Sequence, residues 1–288
     1  MQIKITDDFD LDKIIESGQC FRPRKIQDRY RFITKNHVLY IRRLSDEILY
    51  EVSCSAEDWN QIWMPYFDLE TNYDDLRYKI NRKARNEFIN QAVEFGKGIR
   101  ILRQDPLETL ISFIISQRKS IPAIRSSVEK ICDRFGTEIE TEFESSVHLF
   151  PTIDQLSQAT EEDLKSMALG YRVPYIIDAI QKLTREIDDE SEKTDLEKIF
   201  PIDLEKLNDF SNEKLLETLQ RIHGVGKKIA NCVALYSYHR LNCVPIDVWI
   251  ERAMLEDLEG MNLKRAFGDF SGLVQQYVYF YKRGKADG

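Results

Sequence analysis

The chain has 288 residues, of which 42% are hydrophobic and 31% charged, and its formal net charge is -8. This length allows two or three packed subdomains, and the composition is that of an ordinary globular protein. No apolar run approaches the roughly 18 residues of a membrane span, and the first residues do not have the pattern of a signal peptide. The five cysteines are scattered and include no CxxC pair, which argues against zinc or iron–sulfur ligation. We therefore expect reduced, mostly buried thiols, no membrane partner, and a cytoplasmic, nucleoid-associated or (in a eukaryote) nuclear protein.

Four short segments rich in Ile, Val, Tyr and Phe lie within the first 54 residues. They alternate partly between apolar and polar positions, which predicts an antiparallel sheet. The predicted strands cover residues 2–6, 29–35, 37–44 and 47–54. Ser55 and Asp58 then form the pattern of a capping box. The helix that follows runs through Trp59, Trp63 and Phe67.

From about residue 72 the apolar spacing is helical nearly to the end of the chain. Pro106 opens an apolar helix, and Thr160 begins a capping box. Between them, Ser120 caps a helix that Gly136 ends. Further helices are predicted near residues 174–187, 212–222, 227–238, 247–257 and 270–282. The charged run from Asp188 to Lys193 is interpreted as a solvated connection.

These elements predict an α+β fold with two domains. Residues 1–98 form an N-terminal antiparallel sheet plus helices. Residues 99–288 form a predominantly α-helical bundle, in which two helices and a tight hairpin occupy about 212–238.

The charges are distributed unevenly along the chain. A negative net charge disfavours nucleic-acid binding, because Lys and Arg are needed to neutralise phosphates. Acidic residues, however, concentrate at 138–144 and 161–163, whereas basic residues cluster at 118–119, 221–228 and 282–285. This distribution is compatible with a protein that contacts DNA through one groove and has an acidic back.

The most informative segment is the turn Gly224-Val225-Gly226, which Lys227 and Lys228 follow. The first turn of a helix has unpaired N–H groups and a positive dipole end, so it binds phosphate. Glycine lets the backbone approach the phosphate without a Cβ in the way. A purely structural turn is the alternative, since glycine often only ends a helix. The two lysines and the apolar face at Ile229 and Cys232 favour a hairpin that binds DNA phosphates.

One of the two lysines is a candidate nucleophile. A helix N-terminus and neighbouring cations disfavour the charged form of a lysine, which favours a free amine. Successive helical residues point about 100° apart, so at most one of the two faces a given site. Lys228, four residues before Cys232, lies nearer the apolar face than Lys227 and is favoured. The alternative is a pair of solvated charges on a basic face.

Asp247 follows in the mainly apolar segment Val244-Pro-Ile-Asp-Val, of which we expect Pro245-Ile-Asp247 to be buried. A carboxylate in an apolar context is costly unless it is used or paired. It also precedes a predicted helix, so a simple capping role is the alternative. The two roles are compatible, because a carboxylate fixed at a helix start can stabilise positive charge developing on a sugar.

The segments Gly224-Val-Gly-Lys-Lys228 and Pro245-Ile-Asp247 resemble the helix–hairpin–helix, Gly-Pro-Asp (HhH-GPD) superfamily of DNA base-excision glycosylases. The lysine resembles that of the bifunctional members, which are also AP lyases. Within these, the chain is similar to the 8-oxoguanine DNA glycosylases over almost its full length. The supporting segments are Leu11 to Arg22, Leu102 to Pro106, Phe113 to Ser116, Leu169 to Arg172 and the hairpin.

The resemblance implies excision of 8-oxoguanine from duplex DNA by base flipping, followed by strand nicking through β-elimination. By this resemblance, Lys228 is the nucleophile at the deoxyribose anomeric carbon and forms the Schiff base. Asp247 stabilises the cationic sugar and assists proton transfer. No redox cofactor or catalytic metal is implied. The hairpin carbonyls would hold at most a structural monovalent cation, and the partner is double-stranded DNA containing oxidised guanine, bound by a monomer.

The resemblance also assigns the residues that contact the flipped base. Gly18 would offer its carbonyl to the N7 hydrogen of 8-oxoguanine, where normal guanine has an acceptor. Gln276 would bind the Watson–Crick edge, and Cys232 and Phe280 would sandwich the base. Outside the family, the last two are interpreted as core residues and Gln276 as a polar residue on a terminal helix.

Arg118, Tyr171 and Arg172 align with the residues by which the family fills the gap and contacts the base left behind. The alternative for Tyr171 is a buried side chain that packs the helix junction at Gly170. Eukaryotic members have Asn and Arg where this chain has Arg118 and Ala123, which leaves the base opposite the lesion undetermined.

Two further departures affect neither the nucleophile nor its carboxylate. Trp249 stands where the family usually has a histidine, which removes one phosphate contact, and Pro23 stands where the family often has an aromatic residue.

Two other functions remain open from the sequence. The first is a glycosylase for another damaged base, such as an oxidised pyrimidine or an alkylated purine. Enzymes of the endonuclease III type usually carry a four-cysteine cluster that this chain lacks, and alkyl-purine enzymes generally lack the lysine. The second is a non-catalytic helix–hairpin–helix DNA-binding module, which needs neither Asp247 nor a second lysine.

Overall fold

The structure is a computed structural model that describes residues 1–44, 48–184 and 201–287. These form two compact units. The first consists of Met1–Ile33, His37–Gln104 and Ala234–Gly288, and the second of Thr34–Asn36 and Asp105–Val233. The boundary predicted at residue 98 does not separate these units, because the C-terminal helices belong to the first. The charged run 188–193 lies outside the described residues, as do residue 47 of the last predicted strand and the end of the helix predicted at 174–187.

A five-stranded antiparallel sheet lies in the first half of the chain, as predicted. Its strands are β1 (Gln2–Lys4), β2 (Arg24–Ile26), β3 (Arg29–Thr34), β4 (His37–Arg43) and β5 (Leu49–Val52). Their order across the sheet is β1-β5-β4-β3-β2. β2 was not predicted, because it is a three-residue edge strand with mostly exposed side chains and no apolar alternation.

The helices of the first unit are α1 (Leu11–Glu16), α2 (Ala56–Asp58), α3 (Met64–Tyr66), α4 (Tyr73–Lys83), α5 (Glu87–Phe95), α13 (Val248–Glu256), α14 (Leu263–Phe267) and α15 (Ser271–Asp287). The sheet, α1 and the segment from Trp59 to Phe67 share an aromatic core. Phe67 is fully buried, and its ring lies edge-on to Phe9 and Phe32 at centroid distances of 5.2 and 4.9 Å. The predicted helix through Trp59 is continuous but contains a π-helical turn at Trp59–Trp63.

In its described residues the second unit is mainly helical and contains one small hairpin. Its helices are α6 (Pro106–Ser116), α7 (Ile121–Phe135), α8 (Ile153–Leu156), α9 (Glu161–Ser166), α10 (Val173–Thr184), α11 (Asn212–Gln220) and the start of α12 (Lys227–Tyr236). The unpredicted strands are β6 (Glu138–Ile139), at the start of the acidic segment, and β7 (Val147–His148), shortly after it. Strands of two residues are too short to show an alternation in sequence. The predicted α+β class is confirmed.

The predicted helix starts are confirmed, with two differences in how they are capped. Thr160 forms both bonds of a capping box, whereas at Ser55 the side chain accepts from the Asp58 N–H but the second bond of the predicted box is not formed. Ser120 occupies the cap position of α7, but its side chain makes no capping bond. Pro122 at the second helical position has no N–H, which removes one of the two donors that such a cap uses.

Most of the cysteines are buried, as expected from composition. None of the five forms a disulfide bond; Cys54 is partly exposed and the other four are buried. Within the described ranges, no helix is both long and apolar enough to cross a bilayer.

Candidate active site and DNA-binding elements

The two glycines of the hairpin between α11 and α12 have different requirements. Gly224 has φ +83°, and a Cβ at this position would lie 2.4 Å from the Tyr175 ring. Around Gly226, no described atom lies within 4 Å of the position that a Cβ would take. The Val225 side chain between them is only 4% exposed and anchors the turn. Gly224 is therefore required by backbone conformation and packing, whereas Gly226 leaves open space beside the first turn of α12.

Three residues of α10 support the hairpin from one side. The Tyr175 ring packs edge-on against the His223 ring at a centroid distance of 4.6 Å. Asp178 accepts a hydrogen bond from the backbone N–H of His223 at 2.6 Å. Lys182 donates both to Asp178 and to the carbonyl of Arg221. Tyr175, Asp178 and Lys182 were not predicted from the sequence, although their spacing places them on one helix face.

The hairpin is also the place where the resemblance implies a bound monovalent cation. Its potential ligands are backbone carbonyls, but that of Arg221 already accepts from the Lys182 ammonium, and that of Ile222 accepts from the Val225 N–H at 3.0 Å. The protein thus supplies its own positive charge at the start of the turn. The cation stays a prediction, and no step below depends on it.

Lys227 and Lys228 have different surroundings at the start of α12. Lys227 is exposed, whereas Lys228 is half-buried. The Lys228 ammonium lies 5.0 Å from the ring centroid of Phe113, which is itself buried. Cys232, one turn later on α12, is 2% exposed. The preference for Lys228 drawn from the apolar face of the helix agrees with this burial.

The loop between α6 and α7, residues 117–120, is fixed from two directions. The Gln117 carbonyl accepts hydrogen bonds from the Tyr171 hydroxyl and the Arg172 guanidinium. The Lys119 ammonium donates to the Ala168 carbonyl at 2.8 Å and to the Ser127 hydroxyl. Burial, and then the charges of Arg172 and Lys130, lower the pKa of Lys119.

Arg118 lies between these two anchors and is exposed. Its backbone has φ +49°, the left-handed region that non-glycine residues rarely adopt. No hydrogen bond or ion pair joins its side chain to another residue in the described ranges. A strained backbone held by its neighbours, with a free cation at its apex, is typical of a functional loop.

Tyr171 and Arg172 differ in exposure. Tyr171 is 50% exposed, so the alternative of a buried packing residue is wrong. Arg172 is 6% exposed, lies over the Tyr171 ring at 4.4 Å, and donates to the carbonyls of Leu169 and Gln117. In this structure Arg172 supports the loop, and its contact with DNA stays a prediction.

Asp247 caps α13 with one carboxylate oxygen. Its Oδ1 accepts from the N–H groups of Trp249 and Ile250 at 3.1 and 3.0 Å. Within the described ranges, no hydrogen bond or ion pair uses Oδ2, so capping leaves half of the carboxylate available. The expectation that Pro245-Ile-Asp247 is buried was correct only for Pro245, since Ile246 is 44% exposed and Asp247 is partly exposed. Val248, the first residue of α13, is 54% exposed.

Gly18 lies in a tight turn directly after α1. Its φ is +78°, and a Cβ would come within 3.0 Å of the Tyr279 ring, so only glycine suits the position. Gln19 is fully buried and bonds the Arg100 carbonyl and the Leu102 N–H. The turn is therefore held rigidly by the rest of the first unit.

Gln276 and Phe280 are neighbours on one face of α15. Gln276 is fully buried, and its Nε2 donates to the Ser17 carbonyl at 2.7 Å. Phe280 is 7% exposed and packs against the Phe95 ring at a centroid distance of 5.2 Å. The structure thus brings Gln276 to the residue before Gly18, a relationship that the sequence did not reveal.

One predicted basic cluster is partly neutralised by its neighbours. Lys282 forms ion pairs with Glu256 and Asp257. Although burial acts in the opposite direction, these carboxylates raise the pKa of Lys282. This lysine is therefore a weaker candidate for phosphate contact than the exposed Lys227.

The structure contains a glycine hairpin that leads into a helix with a half-buried lysine, and a loop that its neighbours hold in place and that bears a free arginine. Together these features define a DNA-binding protein of the helix–hairpin–helix class. Comparisons with known proteins agree. The family model described as 8-oxoguanine DNA glycosylase, N-terminal domain, matches residues 2–110. The model of the HhH-GPD superfamily of base excision DNA repair proteins matches residues 111–262.

Individual relatives cover most of the chain. The N-glycosylase/DNA lyase of Saccharomyces cerevisiae is 38% identical over an alignment of 266 positions, which covers 86% of this chain and 68% of the yeast protein. The structure of MBOgg1 with a low-affinity DNA ligand has 32% identity and a TM-score of 0.87, covering 99% of this chain and 96% of that one. The Clostridium acetobutylicum 8-oxoguanine glycosylase/lyase, bound to DNA with cytosine opposite 8-oxoguanine, has 28% identity and a TM-score of 0.85, with coverages of 99% and 98%. The chain belongs to the 8-oxoguanine DNA glycosylase family of the HhH-GPD superfamily.

Proposed function

We propose that this protein excises 8-oxoguanine from duplex DNA and then nicks the abasic site, with Lys228 as the nucleophile of both steps. It is a bifunctional DNA N-glycosylase and AP lyase. The observation that carries the assignment of Lys228 is its half-buried ammonium over Phe113, next to an exposed Lys227. This contact places the Lys228 amine on the apolar side of α12, whereas Lys227 on the neighbouring position is exposed.

The chemistry begins once the damaged nucleotide is turned out of the duplex. The Lys228 amine forms a bond to C1′ as the C1′–N9 bond breaks, and the departing base takes up a proton. Loss of the amine proton and opening of the C1′–O4′ bond then give a Schiff base. Removal of a C2′ proton expels the 3′ phosphate, which is the β-elimination that nicks the strand. Hydrolysis of the remaining Schiff base releases Lys228.

Asp247 is proposed to stabilise the positive charge that develops on the sugar. Its Oδ1 is fixed by two N–H groups of α13, whereas Oδ2 forms no hydrogen bond or ion pair in the described part of the chain. A carboxylate oriented before the reaction stabilises a cationic transition state without reorganising. We propose that Asp247→Asn slows base release more than it weakens DNA binding.

The hairpin and the loop at 117–120 are proposed to bind the DNA backbone and fill the gap left by the flipped base. The open space at Gly226 admits a phosphate to the first turn of α12, and Arg118 is the free side chain of the gap-filling loop. Gly18, Gln276, Phe280 and Cys232 are proposed to contact the base. A DNA repair enzyme acts at the chromosome, so its place of action is the nucleoid or, in a eukaryote, the nucleus.

Borohydride trapping tests the nucleophile. Wild-type protein, Lys228→Gln and Lys227→Gln are each incubated with an 8-oxoguanine duplex and reductant. We expect covalent adducts with wild type and Lys227→Gln and none with Lys228→Gln. An adduct that survives in Lys228→Gln but disappears in Lys227→Gln would overturn the assignment.

The same substrates separate the possible functions. Repeating the assay with each of the four bases opposite the lesion measures the opposite-base preference. DNA binding without any nicking, even at high protein concentration, would instead support a non-catalytic module. Equal excision of other damaged bases would contradict a preference for 8-oxoguanine.

A further inference from the structure

One face of α15 holds the turn that contains Gly18. Gln276 donates to the Ser17 carbonyl, the Tyr279 ring packs on Gly18, and Arg283 donates to the Glu16 carbonyl at 2.6 Å. The three side chains lie three and four residues apart, which aligns them along one side of the helix. A single helix therefore fixes three successive residues of the turn.

The orientation of the Gln276 amide is determined by its partners. The Ser17 carbonyl can only accept a hydrogen bond, so the Nε2 group must face it. Oε1 then faces Tyr236, whose hydroxyl donates to it. Gln276 is fully buried and Tyr236 is 4% exposed, so water does not compete for these bonds.

The three groups form a chain of hydrogen bonds that runs in one direction. The Tyr236 hydroxyl donates to Gln276, which donates to Ser17. Bonds in such a chain polarise and strengthen one another. Because Ser17 and Gly18 share a peptide unit, the chain also restrains the backbone that presents the Gly18 carbonyl.

We propose that Tyr236 is a positioning residue for lesion recognition, which holds the Gln276 amide in one orientation and steadies the Ser17–Gly18 turn through it. This proposal rests on the proposed function, in which Gln276 and Gly18 contact the damaged base. Tyr236 reaches the base only through Gln276. Its hydroxyl, not its ring, is the group that matters.

A fixed amide selects between purines. Oxidised guanine has a carbonyl at C6 and an N1–H donor, whereas oxidised adenine has an amino group at C6 and an acceptor at N1. An amide that can turn over matches either edge, because it contains one donor group and one acceptor. With Oε1 held by Tyr236 and Nε2 held by Ser17, only one orientation remains. The hydrogen-bond chain therefore contributes to the preference for a 6-oxopurine.

Tyr236→Phe removes the hydroxyl and retains the ring, and Tyr277→Phe is its matched control. Tyr277 is fully buried on the same helix as Gln276, and its hydroxyl has no hydrogen-bond partner among the described residues. Each full-length variant is assayed for single-turnover excision of 8-oxoguanine and of 8-oxoadenine. Borohydride trapping on a preformed abasic site measures Lys228 chemistry without a base to read.

We expect Tyr236→Phe to excise 8-oxoguanine about tenfold more slowly, because a buried acceptor loses its donor. Its preference over 8-oxoadenine should fall, while trapping at the abasic site stays within about twofold of wild type. Tyr277→Phe should match wild type in all three measurements. Equal 8-oxoguanine rates for the two variants, or an equal loss of abasic-site trapping in Tyr236→Phe, would overturn the proposal. Failure of wild type to excise 8-oxoguanine would instead refute the proposed function.

Discussion

The carboxylate of Asp178 accepts a hydrogen bond from the backbone N–H of His223, one residue before Gly224 of the hairpin, at 2.6 Å. It therefore fixes the backbone that leads into the turn. We expect Asp178→Ala to weaken duplex binding about fivefold, since one hydrogen bond that positions the hairpin is lost. The slope of log affinity against log salt should not change, because no phosphate contact is removed. Fluorescence anisotropy over a salt series measures both quantities.

Asp154→Ala is the charge-matched control for this prediction. Asp154 is exposed in the same unit and does not contact the hairpin. Removing a negative charge alone should leave DNA binding unchanged or slightly stronger. Lys227→Ala should reduce the salt slope by about one, as expected for a lost phosphate contact. If Asp178→Ala binds as tightly as Asp154→Ala, the α10 contact does not position the hairpin.

The two hairpin glycines should respond differently to alanine. Gly224→Ala places a Cβ against the Tyr175 ring at a positive φ, so we expect a loss of about 2 kcal/mol in unfolding free energy. Gly226→Ala meets no described atom within 4 Å and should leave stability nearly unchanged. Its methyl group nevertheless occupies the space that a phosphate needs, so DNA affinity should fall. Urea unfolding and anisotropy on the same preparations separate the two effects, and equal stability losses would contradict this division.

The local parts of the hairpin could be predicted from sequence, whereas its supports could not. Gly224, Gly226 and Lys228 follow from turn chemistry and helical spacing within a few residues. Asp178 and His223 are 45 residues apart in sequence, and only the folded structure shows that they are hydrogen-bonded. The same limit applies to Gln276 and Ser17, which are 259 residues apart.

Exposure was the least predictable property of the candidate residues. Ile246 is apolar and was expected to be buried, but it is exposed beside Val248 at the start of α13. Tyr171 illustrates the same point, since a tyrosine at a helix junction is compatible with either exposure. Hydrophobic composition indicates which residues can be buried, but a single apolar residue on a surface is common.

Arg118 should contribute most to the excision rate when the damaged base is flipped out of a fully paired duplex. Arg118→Gly removes the free side chain and suits the left-handed backbone, so stability should be unchanged or slightly higher. We expect excision from a fully paired duplex to fall about tenfold, because the gap is no longer filled. Excision of a lesion in an unpaired bulge, where flipping costs less, should fall less. Lys130→Ala removes an exposed cation of the same unit, and an equal loss in this control would assign the effect to charge alone.

The buried carboxylate of Asp68 makes the stability of the first unit depend on pH in the acidic range. The Asp68 side chain is 1% exposed; its Oδ1 lies 2.8 Å from Nη2 of Arg103 and its Oδ2 lies 3.0 Å from Nε2 of His239. Burial alone raises the pKa of Asp68, but the hydrogen bonds and charges of His239 and Arg103 outweigh it and hold the pKa below its ordinary value. A carboxylate with a lowered pKa stabilises the fold above its unfolded pKa, and this contribution is lost as the pH falls through the folded value.

Asp68→Asn tests this linkage, because asparagine tolerates the left-handed backbone of Asp68 at φ +52°. At pH 7 we expect the variant to be less stable than wild type by about 2 kcal/mol, since Arg103 loses a charged partner. As the pH falls below about 4, wild type should lose this advantage and the two unfolding free energies should converge. Urea unfolding between pH 7 and pH 3 measures the difference, with Asp75→Asn as the control for an exposed carboxylate on α4. A difference that stays constant across this range would show that Asp68 acts through packing or neutral hydrogen bonds and not through its charge.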